Sequence, residues 1–148
     1  MHGIKKVQVY LFFAQQKSPI LFLILKRAPD SGSYWQPITG MVESGECLVD
    51  AALRETQEET GISQVLRIIG PGHHFSFNKN DLKVDEYVFG IEVPTIEVKL
   101  SVEHSEYRWA DFKQALALLY WESNRQGLRQ LAQQILPEKS LGENGGGD

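Results

Sequence analysis

Glu55, Glu58 and Glu59 stand at i, i+3 and i+4 within LVDAALRETQEET, so a helix through them projects three carboxylates from one side. Like charges that close repel by a few tenths of a kcal/mol per exposed pair, and by more where water is partly excluded. A chain that keeps them needs positive charge among them. Arg54 supplies one such charge, while Glu46 and Asp50 add two further acids to the same loop and helix. A hard divalent cation is the natural complement, since carboxylate oxygens suit Mg2+ or Mn2+. The helix therefore needs two unlike sides. Leu48, Ala52 and Leu53 recur at helical spacing and form the apolar side, which packs on a sheet and leaves the glutamates toward a cleft. Gly61 is placed to end the helix in the left-handed conformation. Cys47 occupies the N-cap position, with Asp50 three residues on as a reciprocal partner. A thiol caps poorly, which weakens this end by roughly 0.5–1 kcal/mol relative to serine.

The full spacing is Gly40, five residues, Glu46, seven residues, Arg54-Glu55, Thr56, Gln57, Glu58-Glu59, Thr60, Gly61 and Ile62. This resembles the Nudix box of the MutT-like hydrolases, and a match at seven fixed positions is specific. Thr56 departs from the pattern, which prefers an aliphatic there, although its methyl can still pack. The resemblance implies an α/β (α+β) fold, an α/β/α sandwich around a mixed sheet. It also implies a Mg2+-dependent pyrophosphohydrolase, with Mn2+ as a substitute, acting on a nucleoside diphosphate linked to another group by water attack at phosphorus. On this likeness the carbonyl of Gly40 and the side chains of Glu55, Glu58 and Glu59 hold metal, and one carboxylate takes the proton of the attacking water. Arg54 steadies a carboxylate and Glu46 orients Arg54. An acid from outside the box often joins; Glu103 is the first candidate and Glu86 the second. The family is often dimeric, so a homodimer is consistent with the likeness.

The flanks YWQPITG and EHSEYRWADFKQALALLYWESNRQGLRQL resemble the bacterial dihydroneopterin triphosphate pyrophosphatases. RETQEETG with EHSEYRW is also similar to the asymmetrical diadenosine tetraphosphate hydrolases. Either substrate fits, and so does a non-catalytic nucleotide-binding module on the same fold, although such a module has no need of every acid. Tyr34 and Trp35, at the mouth of the box, are candidates to stack on a purine or pterin ring, with core packing the alternative for Trp35. Lys26 and Arg27, with Lys79, are candidates to meet phosphates. Phe75, Phe77 and Tyr87 read as core, with room for one to line the pocket. His73 and His74 point to opposite faces of a strand and lack a partner at ligand spacing, so they and His104 read as structural or peripheral, with contact to substrate the alternative.

A chain of 148 residues is most economically one domain, here 1–136, with 42% hydrophobic and 23% charged residues. Residues 137–148, ending GENGGGD, are too polar and glycine-rich to pack and are read as a disordered tail. A net charge of −4 argues against duplex nucleic acid as a partner. The longest apolar run, Ile20 to Leu25, falls far short of the ~20 residues that span a bilayer. The apolar stretch near the start is too short for a signal peptide and lacks a cleavage site. Cys47 alone excludes an internal disulfide, and the cytoplasm is the expected compartment.

Strands are predicted over Val7 to Phe13 and Ile20 to Leu25, then a short extended piece over Trp35 to Ile38. Further strands are predicted over 64–69, 73–77, 83–93 and 106–109, with Asn78 to Asp81 as a hairpin. Asp111 caps a helix over 112–120, and a last helix covers 124–135.

Overall fold

The computed structural model describes residues 3–136. In strand β1 (Gly3–Phe13), Val7, Val9 and Leu11 belong to one core and Tyr10 and Phe12 to another, all fully buried. A strand apolar on both sides must be central and covered on both faces. One edge of β1 pairs in parallel with β7 (Leu82–Glu92), from Gly3 opposite Lys83 to Phe12 opposite Glu92. The other edge forks. Lys6 to Val9 pair antiparallel with β4 (Ile38–Met41), whereas Phe12 and Phe13 pair antiparallel with β2 (Leu21–Arg27). The chain reaches this fork through β3 (Trp35–Gln36), which lies on β2. Pro37 then separates β3 from β4; having no N–H, it cannot continue the ladder. Outside the fork, β8 (His104–Ala110) extends β2, while β5 (Arg67–Ile69) and β6 (His74–Lys79) both pair with β7.

Helix α1 (Leu48–Thr60) covers the face carrying Val7, Leu23, Leu25, Ile38 and Phe89. Helices α2 (Phe112–Leu118) and α3 (Glu122–Ile135) cover the opposite face through Phe112, Ala115, Leu128 and Leu131. Each Leu, Ile or Phe so buried contributes about 1.5–3 kcal/mol relative to exposure. The result is the three-layer α/β/α sandwich around a mixed sheet.

Most elements fall where the residue pattern places them. α1 ends at Gly61, whose φ is 74° and whose N–H donates to the Gln57 carbonyl at 2.9 Å. Cys47 makes no side-chain cap bond, so the reciprocal contact with Asp50 is not formed. Asp111 and Gln114 form a complete capping box on α2. The β6–β7 hairpin is tighter than expected, with only Asn80 and Asp81, at φ 53° and 65°, between paired Lys79 and Leu82. Both central residues at positive φ make the primed turn whose twist suits two strands. The segment expected as a strand over 64–69 pairs only from Arg67, and α2 stops at Leu118 rather than Tyr120. The expected tail, 137–148, lies outside the described residues. Among those residues no helix is long and apolar enough to cross a membrane.

Candidate active site

The three helix acids occupy unlike surroundings. At about 100° per residue, Glu58 and Glu59 lie to either side of Glu55. Glu55 and Glu59 turn toward the protein and are buried, while the Glu58 side chain is 55% exposed. Gly40 on β4 makes this inward packing possible, since a Cβ there would fall inside the Glu55 side chain. Thr56, where an aliphatic is usual, is buried and returns its hydroxyl to the Ala52 carbonyl at 2.7 Å.

Arg54 is the local counter-charge. Its Nε and Nη2 donate to the two oxygens of Glu46 at 2.8 and 3.0 Å, a paired geometry that favours the charged forms of both groups. Nη1 donates to Glu55 Oε2 at 3.0 Å and Glu58 Oε1 at 3.3 Å, and Nη2 also reaches the Met41 carbonyl at 2.9 Å. The bond from Arg54, with one from the Glu43 backbone N–H, holds the Glu46 carboxyl at about 2. Glu46 in turn raises the Arg54 pKa. Glu55 goes the other way: burial raises its pKa, Arg54 opposes the rise, and the charges of Glu58 and Glu59 add to it.

Glu59 has a second set of partners, from the β8 side. Its Oε1 accepts from Ser101 Oγ at 2.6 Å and from His104 Nδ1 at 2.9 Å. Burial pushes this carboxyl up, but the bonds from His104 and Ser101, aided by the charge of Arg27, outweigh it and hold the pKa below its ordinary value. A carboxylate only accepts, so Nδ1 carries the proton in this contact; Nε2 of His104 is buried with no hydrogen-bond partner among the described residues. His104 thus supports an acid of the helix, a partnership that neither the structural reading of its sequence context nor the alternative of substrate contact named. Glu103 is exposed beside this pair, its N–H donating to Ser101 Oγ at 3.3 Å.

A cavity of about 560 Å3 opens next to Gly40, with Thr39 in its wall. Lys6, Arg27 and Lys79 bring positive charge to it, and Tyr34, Phe77 and Trp121 bring aromatic rings. Arg27 joins the two areas, since it lines the cavity and pairs across the β2–β8 ladder with His104, the partner of Glu59. β2 and β8 change register between Lys26 and Arg27, an irregularity of the kind that re-aims side chains. Lys26 and Trp35 are not among the lining residues. Strand alternation sends them the other way, where Lys26 Nζ meets Glu106 Oε2 at 3.4 Å and lies 5.8 Å over the Trp35 ring. Glu86 is not at the acid helix; it is buried in the cavity with Asn124. Among the predicted aromatics Phe77 reaches the cavity, while Tyr87 stacks on His74 at 4.4 Å.

The donor set is hard oxygen, which suits Mg2+ or Mn2+ rather than a soft metal. Among the described residues no three acidic, histidine or cysteine side chains form a ready-made metal cluster. Mg2+ does not require one, because it keeps several waters and binds through one or two carboxylates plus substrate phosphates. Glu58, Glu59 and the Gly40 carbonyl are able to serve a hydrated ion of this kind.

A buried acid helix stapled by one arginine beside a basic, aromatic cavity defines a phosphoanhydride hydrolase of the Nudix type. The NUDIX domain family model matches residues 5–131, and the chain belongs to that family. It is 35% identical over 115 residues to an asymmetrical bis(5'-nucleosyl)-tetraphosphatase of Rattus norvegicus, covering 75% of this chain and 78% of the relative. It is 31% identical over 133 residues to a dihydroneopterin triphosphate diphosphatase of Escherichia coli K12, covering 81% and 87%. An octanoyltransferase of Myxococcus xanthus is 35% identical over 110 residues, 72% of this chain, and the chain spans only 31% of its length. The solved dihydroneopterin triphosphate pyrophosphohydrolase of E. coli superposes with a TM-score of 0.74 at 28% identity, covering 88% of this chain and 96% of that one.

Proposed function

We propose that this chain, as a single catalytic domain, is a Mg2+-dependent pyrophosphohydrolase, with Mn2+ as a substitute. Its substrate carries a heterocyclic ring on a di- or triphosphate, as in dihydroneopterin triphosphate. The observation that carries this reading is Arg27, which lines the cavity and stands opposite His104, the hydrogen-bond partner of Glu59, in the β2–β8 ladder. A polyphosphate running from the cavity past Arg27 reaches the acid helix. Lys6 and Lys79 neutralise phosphate oxygens, and Tyr34, Phe77 and Trp121 hold the ring. When bound, the divalent ion neutralises phosphate charge and acidifies water. Glu58, Glu59 and the Gly40 carbonyl hold it, with Glu103 as the acid from outside the helix. Glu55 keeps Oε2 on Arg54 and uses Oε1 to accept the proton of the attacking water; burial, which raises its pKa, makes it a stronger base than a free carboxylate. Arg54 and Glu46 fix the carboxylates in place.

A second reading, a dinucleoside tetraphosphate as for the rat relative, is favoured by one feature. Tyr34, Tyr120 and Trp121 cluster with ring centroids 4.2 to 5.2 Å apart, and Tyr120 and Trp121 are exposed enough to take a second base. Incubation with nucleoside, dinucleoside and pterin polyphosphates plus Mg2+, with products identified by mass, tests both. Release of phosphate, pyrophosphate or a mononucleotide is expected, and Glu58→Gln is expected to lower turnover by ~10²–10⁴. If no compound yields product, the hydrolase reading fails in favour of a binding module.

A further inference from the structure

Gln8 is a fully buried amide in the middle of the apolar central strand, and its surroundings point into the cavity. Its Nε2 donates to Glu86 Oε2 at 2.7 Å. The Tyr10 hydroxyl lies 2.7 Å from Gln8 Oε1 and 2.6 Å from the Asn124 carbonyl, so its one proton serves two acceptors. Gly127 of α3 lies so close to Gln8 Oε1 that a Cβ there would collide with it. Glu86 is therefore clamped at one oxygen. An ionised carboxylate has about four acceptor positions, and Gln8 uses one. Asn124, 4% exposed, also lines the cavity, and its Oδ1 has no hydrogen-bond partner among the described residues. At this floor Glu86 and Asn124 set acceptor positions into a cavity whose cationic donors are Lys6, Arg27 and Lys79.

Tyr34, Phe77 and Trp121 line the same cavity and offer faces for a flat ring to stack on, which would leave the ring's edge to this floor. A ring N–H beside an exocyclic amino group presents adjacent donors that match it, and the 2-amino-4-oxopyrimidine edge of guanine and of pterins has that arrangement. Adenine places a bare ring nitrogen next to its amino group, which sets acceptor against acceptor. We propose that Glu86, braced by Gln8, reads this edge together with Asn124, so that the enzyme selects guanine or pterin polyphosphates over adenine ones. This rests on the reading of the cavity as the seat of the substrate's ring. One well-formed bidentate contact gives about 10- to 100-fold discrimination. An amide at the same place pairs naturally with adenine, so Glu86→Gln is expected to reverse the preference rather than only weaken binding.

Calorimetry on the full chain in EDTA, with GTP, ITP, ATP and dihydroneopterin triphosphate, tests this without requiring catalysis. Wild type is expected to bind GTP or the pterin at least 10-fold more tightly than ATP, and ITP, lacking the 2-amino group, more weakly than GTP. The tighter of GTP and the pterin names the source of the edge. Glu86→Gln is expected to favour ATP at an unchanged melting temperature. Equal binding of GTP and ATP by wild type, or an equal loss for both in the variant, overturns the proposal. If the variant does not fold, the GTP-to-ITP ratio on wild type decides. If binding without metal is too weak to measure, the same ratios in kcat/KM with Mg2+ decide. Selective binding with no turnover in Mg2+ sinks the hydrolase reading and leaves this one standing. Turnover without ring preference does the reverse.

Discussion

Two groups of buried acids differ in how they are held. Glu55 and Glu59 come from one helix, and their carboxylates are held by Arg54 within a few residues and by a hydrogen bond from His104 on β8. Glu86 sits on the opposite face of the sheet and has an amide from β1 as its partner, with a carbonyl and a side chain of α3 nearby. The first group is locally encoded and electrostatically balanced; the second is assembled from distant strands and left with open acceptor positions. On the proposed function, the locally spaced acids serve the phosphate chemistry and the scattered ones the choice of ring.

That contrast has measurable consequences. Glu59→Gln strikes the acid helix and is expected to cut kcat by ~10²–10⁴ with the fold intact, read by steady-state kinetics beside a thermal melt. A variant with full Mg2+-dependent turnover would remove Glu59 from the chemistry. Gly40→Ala forces a methyl against Glu55, and overpacking of this kind costs ~1–3 kcal/mol. Turnover should fall with the loss of stability, so an unchanged melting temperature and rate would show that the close approach is not required. Tyr10→Phe acts on the other region: it deprives Gln8 Oε1 and the Asn124 carbonyl of a shared donor and is expected to cost about 1–3 kcal/mol in denaturant unfolding. If the contrast holds, it raises KM while kcat stays near wild type.

The smallest expected effect is on acid stability. The folded Glu46 carboxyl lies at about 2, below its ordinary 4.5, so its contribution is complete above 4.5 and lost as pH falls toward 2. Glu46→Gln should flatten that part of the stability profile. An identical acid limb in the two proteins would mean that the pair with Arg54 adds nothing on the acid side.

The acid helix was legible because its meaning lies in local spacing. Leu48, Ala52 and Leu53 face the core, Gly61 ends the helix, and the three-layer fold follows the family likeness. His104 and Ser101 were not legible as partners of Glu59, because only the path of β8 brings them across. Lys26 and Trp35 show the limit of reading neighbours along a chain: each sits one position from a residue in the cavity, and the alternation of a strand decides between them. Gln8 carried a signal, a lone amide in an apolar run, but its partner is 78 residues away. The contact depends on the parallel register of β1 with β7, which composition does not encode.

A strand whose one rim is divided between two neighbours has little freedom to slide. If β1 slipped by a single residue, Val7 and Val9 would turn away from α1 and Gln8 would be driven into that greasy layer, while the joints with β2, β4 and β7 all broke together. Misalignment is therefore punished on three sides at once, and the alignment that puts Gln8 beside Glu86 is insured by parts of the molecule that never touch a ligand.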